Sequence, residues 1–250
     1  MEKNLLKYYI FKRLESVGKH LSAYPNDRKP KHIHGLRLDI KMIKAVFSFA
    51  GKVYQQKYDA TRLRPLFREA GKIRVSGISI PMLASDSGIP KKLISRLQKK
   101  EDLLVRSFIS NCSKYTFLIR DFRKEISLPE KLPGNNIIKK YFKNEIKKAT
   151  QLLKLKDREK MHRYRMKIKK IMYLYNALPP EIQKKIHLNE AEIKKQEKKL
   201  GKWHDTYSAM KFLSPGYLLM EESPGFSNIK EKEKKQFNAL FAYLRKKSLR

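Results

Sequence analysis

The sequence predicts an all-α protein built from two similar helical half-units related by a pseudo-twofold axis. Three observations lead there. Hydrophobic residues recur at steps of three and four through most of the chain, and few stretches alternate with period two. Glycine is scarce, at 10 in 250 residues, and the prolines gather between the periodic segments. Two basic segments with matching residue patterns occupy corresponding places in the two halves.

The elements follow in order. MEKNLLKYYIFKRLESVGKH reads as an amphipathic helix with Leu5, Leu6, Tyr9, Ile10 and Leu14 inward; it is too charged for a signal peptide. AYPNDRKPK (23–31) reads as a loop before the first long basic helix, and IPMLASDSGIP (80–90) as a second loop. From Lys91 to Ile126 runs a long helical pattern, apolar at Leu93, Leu97, Leu104, Phe108, Cys112, Tyr115 and Ile119. SLPEKLPGNN (127–136) is the clearest break. It divides the single domain expected here into half-repeats at 1–128 and 135–250. Pro179-Pro180 ends one helix and starts the next. SPGYLLMEESPGFSN (214–228) reads as a late loop, and the C-terminal run groups Phe237, Leu240, Phe241 and Leu244 on a last helix.

Charge narrows the class of partner. Lys and Arg number 59 against 24 Asp and Glu, a net charge of +35 that repels itself unless a polyanion neutralises it. Nucleic acid, an anionic membrane surface and inorganic polyphosphate all fit that balance. One cysteine, Cys112, excludes an intramolecular disulfide and any Cys-based zinc site. No apolar run approaches the roughly 18 residues of a membrane span, so a soluble, cytoplasmic protein is expected.

The repeat carries the functional signal. HGLRLDIKMIK places His34, Arg37, Lys41 and Lys44 within about 80° of one another on a helix. HRYRMKIKKIMY repeats the pattern 128 residues later (162 − 34). His162, Arg165 and Lys169 match His34, Arg37 and Lys41, and Lys170 follows. The apolar partners match as well: Leu38 with Met166, Ile40 with Ile168, Ile43 with Ile171. A second pair recurs at an offset of 130 (201 − 71): AGKIRV, with Lys72 and Arg74, and LGKWHD, with Lys202 and His204. Duplication explains two elements recurring in one order, and it allows two basic helices to meet across a shared cleft.

In these residues the chain resembles the CHAD family, the conserved-histidine α-helical domain. That family carries a His-x-x-Arg basic helix in each half, followed by a Leu-Gly-x-x-Arg-Asp-like turn. Met42 and Met172 stand where basic residues are expected, Val75 stands in place of the first turn's Asp, and His204 in place of the second turn's Arg. The resemblance implies two antiparallel helical bundles sharing a basic groove that binds inorganic polyphosphate. It further implies association with polyphosphate granules and no catalytic activity. No β-rich triphosphate-handling domain of the kind often fused to such modules is read here, so a stand-alone unit is expected.

The residue types suit that ligand. Arg37 and Arg165 offer bidentate forks to phosphate oxygens, while Lys41, Lys44, Lys169 and Lys170 supply mobile point charges. Lys72, Arg74, Lys202 and His204, with Lys52, Arg62, Arg64, Arg68, Lys195 and Lys199, are each open either to extending the path or to simple solvation. His34 and His162 have three readings: phosphate donors, packed side chains, or metal ligands, the last poorly supported without acidic partners at ligand spacing. No metal or cofactor is expected. Asp39 lies about 140° from His34 around its helix, away from the cations, and Asp205, an acid inside a repeat element, is open equally to a role in the shared cleft and to capping the following helix. Phe47, Phe49, Tyr54, Tyr173, Tyr175 and Trp203 read as core. RNA or DNA binding through the same basic surface is the alternative function; an enzyme on phosphorylated substrates would need a carboxylate or metal cluster within the basic cleft.

Overall fold

The first helix shows how the chain builds itself. Within α1 (Leu5–Asp27), Leu6, Ile10, Leu14, Val17, Leu21 and Tyr24 recur at three- and four-residue steps and are all buried. They pack along α2 (Pro30–Val53), an extensive hairpin-like pairing. The computed structural model describes residues 5–213 and 224–247, and every regular element in them is helical.

Eight further α-helices follow: α3 (Arg64–Ala84), α4 (Lys91–Ser110), α5 (Cys112–Lys124), α6 (Asn135–Thr150), α7 (Arg158–Tyr175), α8 (Pro180–Ile186), α9 (Glu190–Leu213) and α10 (Pro224–Lys246). Short 3-10 turns at Thr61–Leu63 and Gln151–Leu153 precede α3 and follow α6.

Several sequence expectations change. The loop expected at 23–31 shrinks to Arg28 and Lys29. Pro25 falls in the last turn of α1, where it removes the N–H that would otherwise bond the carbonyl of Leu21, and the helix ends two residues later. Pro30 opens α2, where no donor is needed, and Asp27 Oδ1 accepts from Lys29 N at 2.9 Å to close the corner. The loop expected at 80–90 likewise begins only after Ala84. The pattern from Lys91 to Ile126 breaks at Asn111, whose Nδ2 donates to Ser107 O at 3.0 Å. Side chains that bond the backbone locally in this way compete with the helical ladder. Cys112 opens α5 half-buried. The last helix starts at Pro224, inside the expected late loop; 214–223, with Glu221-Glu222, lie outside the described residues.

The largest correction concerns AGKIRV and LGKWHD. Neither is a turn: both lie in the middle of long helices, α3 and α9. Asp205 therefore caps nothing. The turn expected from the resemblance is helix here, and each motif glycine is carried inside it at a cost of about 1 kcal/mol relative to alanine.

One main core draws on both halves, from Leu6 on α1 to Leu244 on α10. A smaller cluster of Ile80, Leu83, Ile89, Leu93, Leu97, Leu213 and Ile229 closes one end. There Gly88 and Gly225 approach so closely that a Cβ on either would overlap the other's backbone. Phe47, Phe49, Tyr173, Tyr175 and Trp203 are buried as expected, while Tyr54 is half-buried and donates to Lys131 O at 2.6 Å.

Three buried carboxylates tie elements together. Asp39, facing away from the α2 cations, accepts from Arg13 at 3.2 Å. Glu145 on α6 meets Lys52 of α2 at 2.5 Å and Lys167 of α7 at 3.4 Å. Burial alone would raise the Glu145 pKa, yet the Lys52 hydrogen bond and the Lys170 and Lys167 charges hold it at about 2. Glu233 on α10 takes Arg158 of α7 and Trp203 of α9. Around the centre the contacts close a ring: α2 touches α3 and α7, and α9 touches the same two helices.

Candidate functional site

On α2 the inward stripe is Leu36, Ile40 and Ile43, all fully buried. The same periodicity turns His34, Arg37, Lys41 and Lys44 to one side of that stripe. Arg37, Lys41 and Lys44 are half-buried and His34 is exposed. Helix α7 repeats the arrangement. Met161, Tyr164, Ile168 and Ile171 are buried, and His162, Arg165 and Lys169 are half-buried beside them.

The ring of four helices brings these cations together. Lys41 of α2 feels the charges of Arg37, of Arg165 and Lys169 on α7, and of Arg74 on α3. Burial first, and then those four cations, push its pKa down to about 8. Arg37 is pushed down to about 10 by burial and by Arg74. Burial also lowers Arg165, opposed by Asp205, Tyr173 and Glu197. The histidines follow the same rule: burial and neighbouring cations lower His34 and His162, and take His204 of α9 to about 3. His162 and His204 stack with ring centroids 4.9 Å apart. A cavity of about 550 Å³ opens beside that stack, with Lys100 and Lys211 in its walls.

The anchors are specific. The Arg37 guanidinium donates to Phe67 O and lies over the Phe67 ring, 4.0 Å from its centroid. Lys44 lies over the same ring at 4.3 Å. A Cβ on Gly71 would sit 2.5 Å from Arg37 Nη1, so the glycine of AGKIRV makes room for this guanidinium. Gly201 has no such neighbour, so the two glycines differ in what they do. Lys169 donates to Glu197 at 2.6 Å.

Within this cluster two buried side-chain nitrogens, Arg165 Nε and His162 Nδ1, have no hydrogen-bond partner among the described residues. Asp205 sits within reach of Arg165, Arg74 and Lys169; burial raises its pKa while those three cations lower it.

Not every expected residue joins the cluster. Lys170 turns away, donating to Ser48 Oγ at 2.6 Å and standing 3.7 Å from Glu145. Lys72 and Lys202 are exposed on α3 and α9. Among the outer residues, Lys52 pairs with Glu145, Arg62 with Glu125 at 2.6 Å, and Lys199 covers the Tyr243 ring at 4.7 Å. Of the two methionines in expected basic positions, Met172 is core and Met42 half-buried. Glu197 and Phe67 are absent from the sequence-based set. Each lies four residues before a repeat glycine, on the same helix face, and that spacing is the signal that would have found them. No group of three His, Cys, Asp or Glu side chains suited to a metal occurs among the described residues. No helix among them is long and apolar enough to cross a membrane.

The fold itself is that of the CHAD domain. The chain superposes on the CHAD domain from the plant Ricinus communis with a TM-score of 0.65 and 15% identity, covering 98% of this chain and 87% of that one. It is equally similar to PptA from Streptomyces chartreusis, with a TM-score of 0.64 and 11% identity, covering 98% of this chain and 99% of that one. No family model matches the sequence, and no curated protein matches it.

Proposed function

We propose that this protein binds inorganic polyphosphate, without chemistry on it, in a basic groove between its two halves. His34, Arg37, Lys41, Arg74, His162, Arg165, Lys169 and His204 line the groove, and Lys44, Lys72 and Lys202 flank it. The observation that carries the reading is the convergence on Lys41 of cations from α2, α3 and α7, beside the buried Arg165 Nε and His162 Nδ1, neither bonded among the described residues. Protein folds place cations in mutual repulsion only at a cost, and a polyanion in the groove removes it. A flexible phosphate chain offers oxygens in any direction and no base edges to read. The Phe67 ring already carries Arg37 and Lys44 and Trp203 is buried, so neither is free to stack on a base. Association with polyphosphate granules in the cytoplasm follows from this reading.

The test is a competition at physiological salt. Labelled long-chain polyphosphate bound to the protein is challenged with RNA and duplex DNA at equal phosphate concentration. Polyphosphate is expected to resist both. Equal displacement by RNA would leave the +35 charge as the whole explanation and overturn the reading.

The pH dependence is a second expected result. In the empty protein Lys41 titrates at about 8; bound phosphate restores its proton affinity toward the ordinary value of about 10.4. Affinity is therefore fully present below pH 8 and is lost as pH rises between those two values, with Kd growing at up to about tenfold per pH unit. Lys41→Arg should flatten that limb in a titration followed from pH 7 to pH 10.

A further inference from the structure

A second concave basic site lies well away from the groove. Helix α6, the α8–α9 corner and the end of α10 enclose a cavity of about 1040 Å³, the size of a small-molecule pocket. Lys139, Lys143 and Lys147 line it from α6 at steps of four, about 6 Å apart along the helix. Lys185, Arg245 and Lys246 face them from the other walls. None of these six cations pairs with a described carboxylate. Glu192 is the one carboxylate in the described lining, and it is already engaged by Tyr243 at 2.8 Å and Gln196 at 3.2 Å.

The wall is also shaped. His187 holds a left-handed backbone, φ 53 and ψ 45, where α8 ends, a conformation that costs a non-glycine residue energy. Asn189 Oδ1 then accepts from Glu192 N at 3.0 Å and sets the start of α9. Between the lysines, half-buried Ile146, Ile186 and Leu188 form an apolar floor. Cations arranged around a concavity focus their potential inward, where cations on a convex face disperse it.

The geometry points to a second anion site in this cavity, one that takes a compact ligand carrying a triphosphate. It is separate from the groove: Glu192 and His204 are 12 residues apart on α9, about 18 Å along the helix. A triphosphate spans the α6 lysines, and any organic body attached to it rests on the Ile146, Ile186 and Leu188 floor.

Calorimetry at 0.15 M salt tests this with two probes, inorganic tripolyphosphate and ATP. The background is the chain carrying alanine at Arg37, Lys41, Arg165 and Lys169, in which the groove is disabled. One triphosphate should bind per chain, and adding Lys143→Gln, Lys147→Gln and Lys185→Gln should weaken it at least tenfold. Equal affinity for the two probes assigns recognition to the triphosphate alone, and tighter ATP binding adds the apolar floor; both support the site. No binding in the groove-disabled chain, or binding unmoved by the three Gln substitutions, overturns it. Failure of the groove reading registers separately, as undiminished long-chain polyphosphate binding by the groove-disabled chain. Circular dichroism of each variant confirms folding; the three lysines are exposed, so their replacement leaves the core intact.

Discussion

Replacing Arg37, Lys41, Arg165 and Lys169 together by alanine is expected to remove long-chain polyphosphate binding in the groove while leaving the fold intact. Each charge-assisted contact to a phosphate contributes about 1.5–3 kcal/mol, so four losses weaken affinity by at least about a thousandfold. The dependence on salt should fall too. A single-stranded polyanion loses about 0.7 in the logarithmic slope per neutralised phosphate, so the variant's slope should be shallower by about 3. Stability moves the other way. Burial and mutual repulsion lower the pKa values of Arg37, Lys41 and Arg165. A cation whose folded pKa lies below its unfolded one opposes folding wherever it is charged, and that opposition fades only as pH rises through the folded pKa. The variant should therefore melt at the parental temperature or above it at pH 7. Thermal melts and binding isotherms on the same samples check both halves of the prediction. Retained affinity would place the polyphosphate elsewhere, and a collapse in melting temperature would make the four residues structural.

Glu233→Ala should do the reverse, destabilising the protein while sparing the groove. Glu233 is 1% exposed and accepts from Arg158 Nε at 2.9 Å, Arg158 Nη2 at 2.8 Å and Trp203 Nε1 at 2.8 Å. Removing it strands a buried indole donor and unpairs Arg158, whose ring contact with Phe237 at 4.8 Å would then have to hold it alone. The expected cost is about 3 kcal/mol. For a chain of this size that corresponds to roughly 10 °C in melting temperature. Glu233→Gln keeps an acceptor for Trp203 and should lose less. Urea unfolding with far-ultraviolet circular dichroism measures the difference. A loss under about 1 kcal/mol would show that Trp203 and Arg158 find substitutes.

Much of this arrangement is readable from residue order. The inward stripes of α1, α2 and α7 appear as three- and four-residue steps, because helical periodicity and burial are the same fact seen twice. The duplicated His-x-x-Arg helices are equally legible, since the matched positions survive as letters. What the letters hide is partnership across elements. Lys170 carries the same charge as Lys169 and sits next to it, yet one residue of rotation sends it toward Ser48 and Glu145. Gly71 gives no sign of its reason in the sequence, because the Arg37 guanidinium it makes room for lies 34 residues away (71 − 37). Glu197 looks like one more acid on a charged helix until α9 packs on α7 and sets it against Lys169. The extent of α1 past Pro25 is hidden for another reason: a proline in a last turn and a proline in a loop leave the same trace in sequence.

The crowding of cations in the four-helix ring, only partly offset by Glu197 and Asp205, has a consequence for supply and demand in the cell. If the groove holds polyphosphate as proposed, its occupancy relieves the repulsion among these charges and adds stability in proportion to the logarithm of free ligand. On the reading argued above, the surviving pool of this protein would grow and shrink with the phosphate polymer it holds. Abundance would then act as a gauge of that reserve without any dedicated sensor.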